Sequence, residues 1–359
     1  MKKILLTILI CLSFISKVNA STSSAYEYVL MDQTTGRVLS SKNANSPRLI
    51  ASITKIMTCL LAIESNKLDE VITVDESIKK AYGSGIYIEV GEEMTLRDML
   101  YGLMLRSGND AAVMIASYLA GTEEDFAVLM NNKAKEIGMK NTIFTNSSGL
   151  DNETTGNYST AYDMALLTRY AMQYDEYQKI VGTKKHIVKT NYKTYSWTNK
   201  NKLLKYNFIT GGKTGYTEKA KRTLVSTATI DDMNLIVVTI KDSDDWNTHL
   251  DLYGYAKNNY SSYKVLNKKK FNIVGDTFYI GDFYIKNNVY LPLKKDETGA
   301  LISKIKLEKL NSYNSGDKVG YIEISMNNDI LYKEDIYIEK TLNTKSSFFK
   351  QIWRKIFKW

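Results

Sequence analysis

The 359-residue chain holds only two cysteines, two histidines and two prolines. Cys11 lies inside an apolar N-terminal run, so Cys59 stands alone once that run is removed, and no intramolecular disulfide can staple the fold. Cys59 itself reads as a buried small hydrophobe. His186 and His249 are too few and too far apart in sequence to suggest a zinc site, and no metal or cofactor is expected. No nucleic-acid-binding motif accompanies the net charge of +9, which points instead to an anionic membrane or wall polymer as the neighbourhood. The N-terminal apolar run, Ile4 to Ile15, is shorter than the about 20 residues that span a bilayer. Lys2 and Lys3 precede it and Val18-Asn19-Ala20 follows, so residues 1–20 read as a secretory signal, with an uncleaved anchor as the alternative.

What the chain does have is Ser52-Ile53-Thr54-Lys55, at the head of an apolar run that predicts a helix from Ser52 to Glu64. Residues three apart on a helix share a face. A serine hydroxyl needs a nearby base to become a nucleophile, and a neutral lysine one turn away can be that base. Its amine must then fall from about 10.4 to near 7, which burial and a second cation both promote. Ser-x-x-Lys alone is commonplace, mostly a helix cap beside a solvated lysine. Here Ser107-Gly108-Asn109 and Lys213-Thr214-Gly215 follow it, and Lys213 supplies a candidate second cation.

The three elements, in this order and spacing, resemble the penicillin-recognising serine enzymes. The contexts Leu105-Arg106-Ser107-Gly108-Asn109-Asp110, Gly211-Gly212-Lys213-Thr214-Gly215 and Asn146-Ser147-Ser148-Gly149-Leu150-Asp151 are similar to those of the low-molecular-weight D-alanyl-D-alanine carboxypeptidases, from about Tyr26 to the C-terminus. That resemblance implies a Ser52 nucleophile, Lys55 as its base and Ser107 as a proton relay. It puts Asn109 on the substrate amide, has Lys213 by charge and Thr214 through its hydroxyl hold the terminal carboxylate, sets Gly215 where the substrate backbone approaches, and places the oxyanion donors at the backbone N–H groups of Ser52 and Tyr216. The implied substrate is a peptidoglycan pentapeptide stem, with β-lactams as covalent inhibitors, on the outer face of the cytoplasmic membrane or in the cell wall. Two other readings remain open: a serine β-lactamase, for which Glu123 and Glu124 are candidate acids, and a non-catalytic wall-binding protein. One departure stands out. Relatives often carry arginine near the start of the closing helix, where this chain reads Asp244-Asp245-Trp246. Arg222 is the candidate replacement.

The expected fold is α+β: a β-lactamase/transpeptidase-like domain over residues 21–262, an antiparallel sheet flanked by helices plus a helical lobe. Thr95, Thr122 and Thr160 each stand three residues before an acid, the form of a helix start, and Gly138 suits a helix end. Alternating runs after a change of character around Ser261 to Lys270 predict a small all-β domain over 263–340, with strands including Phe278-Tyr279-Ile280. Residues 341–359 predict an amphipathic helix. Phe348, Phe349, Ile352, Trp353, Ile356 and Phe357 share one face and Lys350, Arg354, Lys355 and Lys358 the other, suited to an anionic membrane surface.

Overall fold

A computed structural model of the protein describes residues 23–340 except 274, 275 and 277. The signal reading of 1–20 and the anchor helix of 341–359 lie outside the described residues. An antiparallel sheet runs in the order β2-β1-β5-β4-β3, from β1 (Glu27–Asp32), β2 (Val38–Lys42), β3 (Ile209–Thr217), β4 (Lys221–Ile230) and β5 (Met233–Ile240). Every residue of β1 and all but one of β5 are buried. The apolar stretches Val29–Met31 and Leu235–Val238 within them are what a sheet covered on both faces requires. One face carries Val29, Met31, Val225, Ile236 and Val238 toward the helical lobe. The other carries Leu30, Leu224, Leu235 and Val237 toward the closing helix Asp245–Asn259.

The lobe is built around α1 (Lys55–Glu64), whose Ile56, Met57, Cys59 and Leu60 are fully buried. Burying each such aliphatic side chain contributes about 1.5–3 kcal/mol, which fixes α1 and hence the residues at its head. Ser52 does not belong to α1 itself. It sits in a tight 3₁₀ turn, Ala51–Thr54, that leads into it. Side chains at i and i+3 eclipse in that geometry, so Ser52 and Lys55 are brought closer than α-helical winding would bring them. Thr95, Thr122 and Thr160 each cap a helix by accepting the backbone N–H of Asp98, Asp125 and Asp163, and Gly138 closes Glu123–Ile137 in the left-handed region.

The β-domain has a separate core of Phe283, Ile285, Leu291, Val319, Ile322, Ile336 and Ile338. The strand Ser261–Leu266 starts directly after Tyr260, the residue that ends the closing helix, and one sequence expectation beyond it is corrected. Phe278-Tyr279-Ile280 is not a strand: its rings pack on Tyr313, the Tyr313 hydroxyl accepts the Ile280 N–H, and Asp276 accepts that of Tyr279. Alternation there serves an aromatic cluster, not a ladder. The guanidinium of Arg37, just before β2, donates to the Pro292 carbonyl and pairs with Glu297, both at 2.6 Å, joining the two domains.

Candidate active site

Ser52 and Lys55, Ser107, and Lys213 come from three separate chain segments and converge where the edge strand β3 passes the head of α1. Lys55 is wholly buried. Its Nζ lies 2.6 Å from the Ser148 carbonyl oxygen, 2.7 Å from Asn109 Oδ1 and 3.0 Å from Ser52 Oγ. The first two partners can only accept. A neutral amine has two protons for them and one lone pair left, and the only partner that can donate to it is the Ser52 hydroxyl. Burial lowers the amine from 10.5 to about 7, helped by the Lys200 cation and opposed by the charges of Asp110 and Glu123.

Lys200 is thus a further cation at the site, alongside the Lys213 expected from the sequence, whose charge and that of Lys55 oppose each other. Lys213 Nζ is buried and donates to Ser107 Oγ at 3.0 Å and to the Thr214 carbonyl at 2.6 Å. Burial first, then the charges of Lys55 and Lys200, push it well below the ordinary lysine range. Lys200 reaches solvent and lines the same cleft. Sequence reasoning passed over it and Ser84, its 3.4 Å neighbour. The one signal for Ser84 was its place in Gly83-Ser84-Gly85, a loop composition.

Backbone strain is stored beside both serines. Ala51 has φ 49° and Ser107 φ 65°, a conformation that costs a non-glycine residue of order 1 kcal/mol or more. Gly215 permits the close approach of β3: a Cβ there would stand 2.9 Å from the Ser52 nitrogen and 2.4 Å from Thr223 Oγ1. Thr223 in turn donates to the Ile50 carbonyl, tying β4 to the segment that carries the nucleophile. The resulting cleft of about 270 Å³ is lined by Ser52, Ser107, Lys200, Thr214, Tyr216 and Arg222, among others.

Asn109 is not left free for a ligand. Its Oδ1 accepts from Lys55 and its Nδ2 donates to the Tyr82 carbonyl at 2.6 Å, so it holds the Tyr82–Ile88 loop against the site. Glu123 stands behind the site and accepts both the N–H and the hydroxyl of Ser147. Cys59 is buried, its thiol pushed up by burial. His186 pairs with Asp98, and His249 lies beneath the sheet between Ser226 and Thr239. Among the described residues no cluster of His, Cys, Asp and Glu could hold a metal ion.

The D-alanyl-D-alanine carboxypeptidase family profile matches residues 15–244. The chain belongs to that family. A second profile, the C-terminal domain of penicillin-binding protein 5, matches residues 263–344 and so covers the β-domain. The D-alanyl-D-alanine carboxypeptidase DacF of Bacillus subtilis is 42% identical over 217 residues, which cover 58% of this chain and 55% of that protein. The chain thus spans little more than half the length of that curated relative. The crystal structure of DacD from Francisella tularensis is 26% identical, covers 88% of this chain and 93% of its own, and superposes with a TM-score of 0.66. Penicillin-binding protein 5 of Haemophilus influenzae, at 24% identity and a TM-score of 0.74 over 90% of this chain and 98% of that one, shows the same two-domain fold. The α+β reading of the family fold holds.

Proposed function

We propose that the protein is a serine D-alanyl-D-alanine carboxypeptidase that removes the terminal D-alanine of peptidoglycan pentapeptide stems through a Ser52 acyl-enzyme. The observation that carries this is the Lys55 amine, buried between two carbonyl acceptors with the Ser52 hydroxyl as its third partner. Ser52 Oγ attacks the carbonyl carbon of the scissile peptide bond while its proton passes to Lys55 Nζ. The oxyanion gathers on backbone N–H groups of Ser52 and Tyr216, within reach because Gly215 lets β3 approach. Ser107, bonded to Lys213, relays a proton to the departing D-alanine nitrogen. Lys213, Thr214 and Gly215 border the bound peptide, and water releases the acyl group. For Asn109 to reach the substrate amide it must exchange its bond to Tyr82.

Family membership supports this reading, and so does the placing of Glu123. Of the two candidate acids for a β-lactamase, Glu123 is committed to Ser147. The proposed setting is the outer face of the cytoplasmic membrane, with residues 1–20 directing export and 341–359 binding an anionic lipid surface. No helix among the described residues is long and apolar enough to cross a membrane. Labelling with fluorescent penicillin followed by mass spectrometry tests the chemistry. The adduct is expected on the peptide containing Ser52 and is lost in Ser52→Ala. An adduct elsewhere, or none, overturns the assignment; rapid turnover of the label selects the β-lactamase reading.

A further inference from the structure

An enzyme that takes a free C-terminal D-alanine must hold a carboxylate beside the scissile bond, and a dedicated cation is the usual means. Lys55 is occupied as the base. Lys213 is bonded to Ser107 and Thr214 and is depressed by burial. Lys200 is drawn to the Ser84 side of the cleft. The start of the closing helix presents Asp245, a buried carboxylate that would repel another.

Sheet register shows where a cation does stand. Arg222 pairs with Tyr216, and Leu224 with Thr214. Leu224 faces the closing helix, so by strand alternation Thr214, Tyr216 and Arg222 lie on that same side, while Lys213 and Gly215 lie on the lobe side. Arg222 and Thr214 are then diagonal cross-strand neighbours, with backbones about 7–8 Å apart. A guanidinium and a hydroxyl so placed can close on one carboxylate. The guanidinium is held in position: Nη2 donates to Asp245 Oδ1 at 2.5 Å, and Cζ lies 5.4 Å from the centre of the Trp246 ring. Its Nε is buried with no hydrogen-bond partner. The head remains two-fifths exposed, inside the cleft that Ser52 also lines.

We infer that Arg222, steadied by Asp245 and Trp246, is the cation that joins Thr214 in recognising the substrate's terminal carboxylate. The inference rests on the carboxypeptidase reading above. Its consequence is a cation placed by the sheet, not by the helix, and partly neutralised by its own support. A bidentate fork suits a carboxylate better than an ammonium does, so lysine is a poor replacement.

Two substrates separate this from a purely structural ion pair: an N-acyl-D-alanyl thioester of thioglycolic acid, whose leaving group carries a carboxylate, and the same thioester with that carboxylate as an amide. The kcat/KM ratio of the two, read by thiol release, cancels any general loss of active protein. Wild type is expected to prefer the carboxylate form. Arg222→Gln should lower that preference tenfold or more, Arg222→Lys should restore only part of it, and the exchanged pair Arg222→Asp with Asp245→Arg should recover more than Arg222→Gln retains. An unchanged ratio in Arg222→Gln, or an equal loss with both substrates, overturns the inference and leaves the carboxypeptidase reading standing. If the wild type cleaves neither thioester and Ser52 is never acylated, the proposed function fails and this inference falls with it.

Discussion

Replacing Lys55 by arginine keeps the positive charge and removes the proposed base. Bringing the Lys55 amine from 10.5 to about 7 corresponds to about 5 kcal/mol of lost preference for the charged form, at 1.36 kcal/mol per pH unit. At pH 8 an amine of pKa 7 is about nine-tenths neutral, whereas an ordinary lysine is about 0.3% neutral. Burial thus raises the competent fraction roughly 300-fold before geometry contributes. Arginine stays protonated above pH 12, which leaves a neutral fraction below about 10⁻⁴ at pH 8. Acylation of Lys55→Arg should therefore fall by about 10³ or more. The assay is the second-order rate of fluorescent penicillin labelling from pH 5.5 to 9.5, with circular dichroism to check the fold. In wild type the rate should rise tenfold per pH unit below about 7 and level off above it, because the reactive form is the deprotonated one. A flat profile, or a Lys55→Arg enzyme within tenfold of wild type, would refute the base role and reduce Lys55 to a structural charge.

The Lys200 cation disfavours protonated Lys55, so Lys200→Met should raise the Lys55 pKa and move the midpoint of the labelling profile upward by a few tenths of a pH unit to one; an unmoved or lowered midpoint would refute that role for Lys200. His249 is held neutral by burial, its pKa lowered from 6.5 to about 3. The unfolded chain therefore binds the extra proton first, and stability should fall as pH drops from 6.5 toward 3. By pH 4 that loss is about 3 kcal/mol. Urea midpoints at pH 7 and pH 4 should show it in wild type and not in His249→Gln, and equal losses in both would exclude His249 as the cause. Removing residues 343–359 should release the mature protein from anionic vesicles while leaving cleavage of a soluble peptide intact. The five cations Lys345, Lys350, Arg354, Lys355 and Lys358 contribute up to about 5 kcal/mol before salt screening. A truncated protein that still sediments with vesicles places the anchor elsewhere.

What could be read in the sequence was what local geometry settles. Ser52 and Lys55 are one turn apart in any helix, so their meeting needed no tertiary information. Thr95, Thr122 and Thr160 announced helix starts because a hydroxyl three residues before an acid answers an orphan N–H within its own turn. The edge strand of Lys213-Thr214-Gly215 was found by family resemblance, but its approach to Ser52 depends on the absence of a Cβ at Gly215, which only the structure makes visible. Lys200 escaped notice because its proximity to Lys55 arises where the Tyr82–Ile88 loop and the Lys185–Thr198 hairpin meet, far apart in sequence. Asn109 was identified as a site residue, yet its bond to the Tyr82 carbonyl reveals a second duty as a loop fastener.

Arg222 lies between these cases. Family resemblance raised the expectation of an arginine near Asp245, and the sequence offered Arg222 on proximity alone. Register then placed Arg222 opposite Tyr216 on the face that Thr214 shares. A one-residue slip of β4 would have turned the side chain to the lobe face and away from Asp245, because strand side chains alternate with period two. The slip is opposed by Leu224 and Val225, each fully buried on its own face of the sheet. Hydrophobic alternation along β4 therefore decides where the charge points, and a core that makes no contact with substrate selects the residue that can.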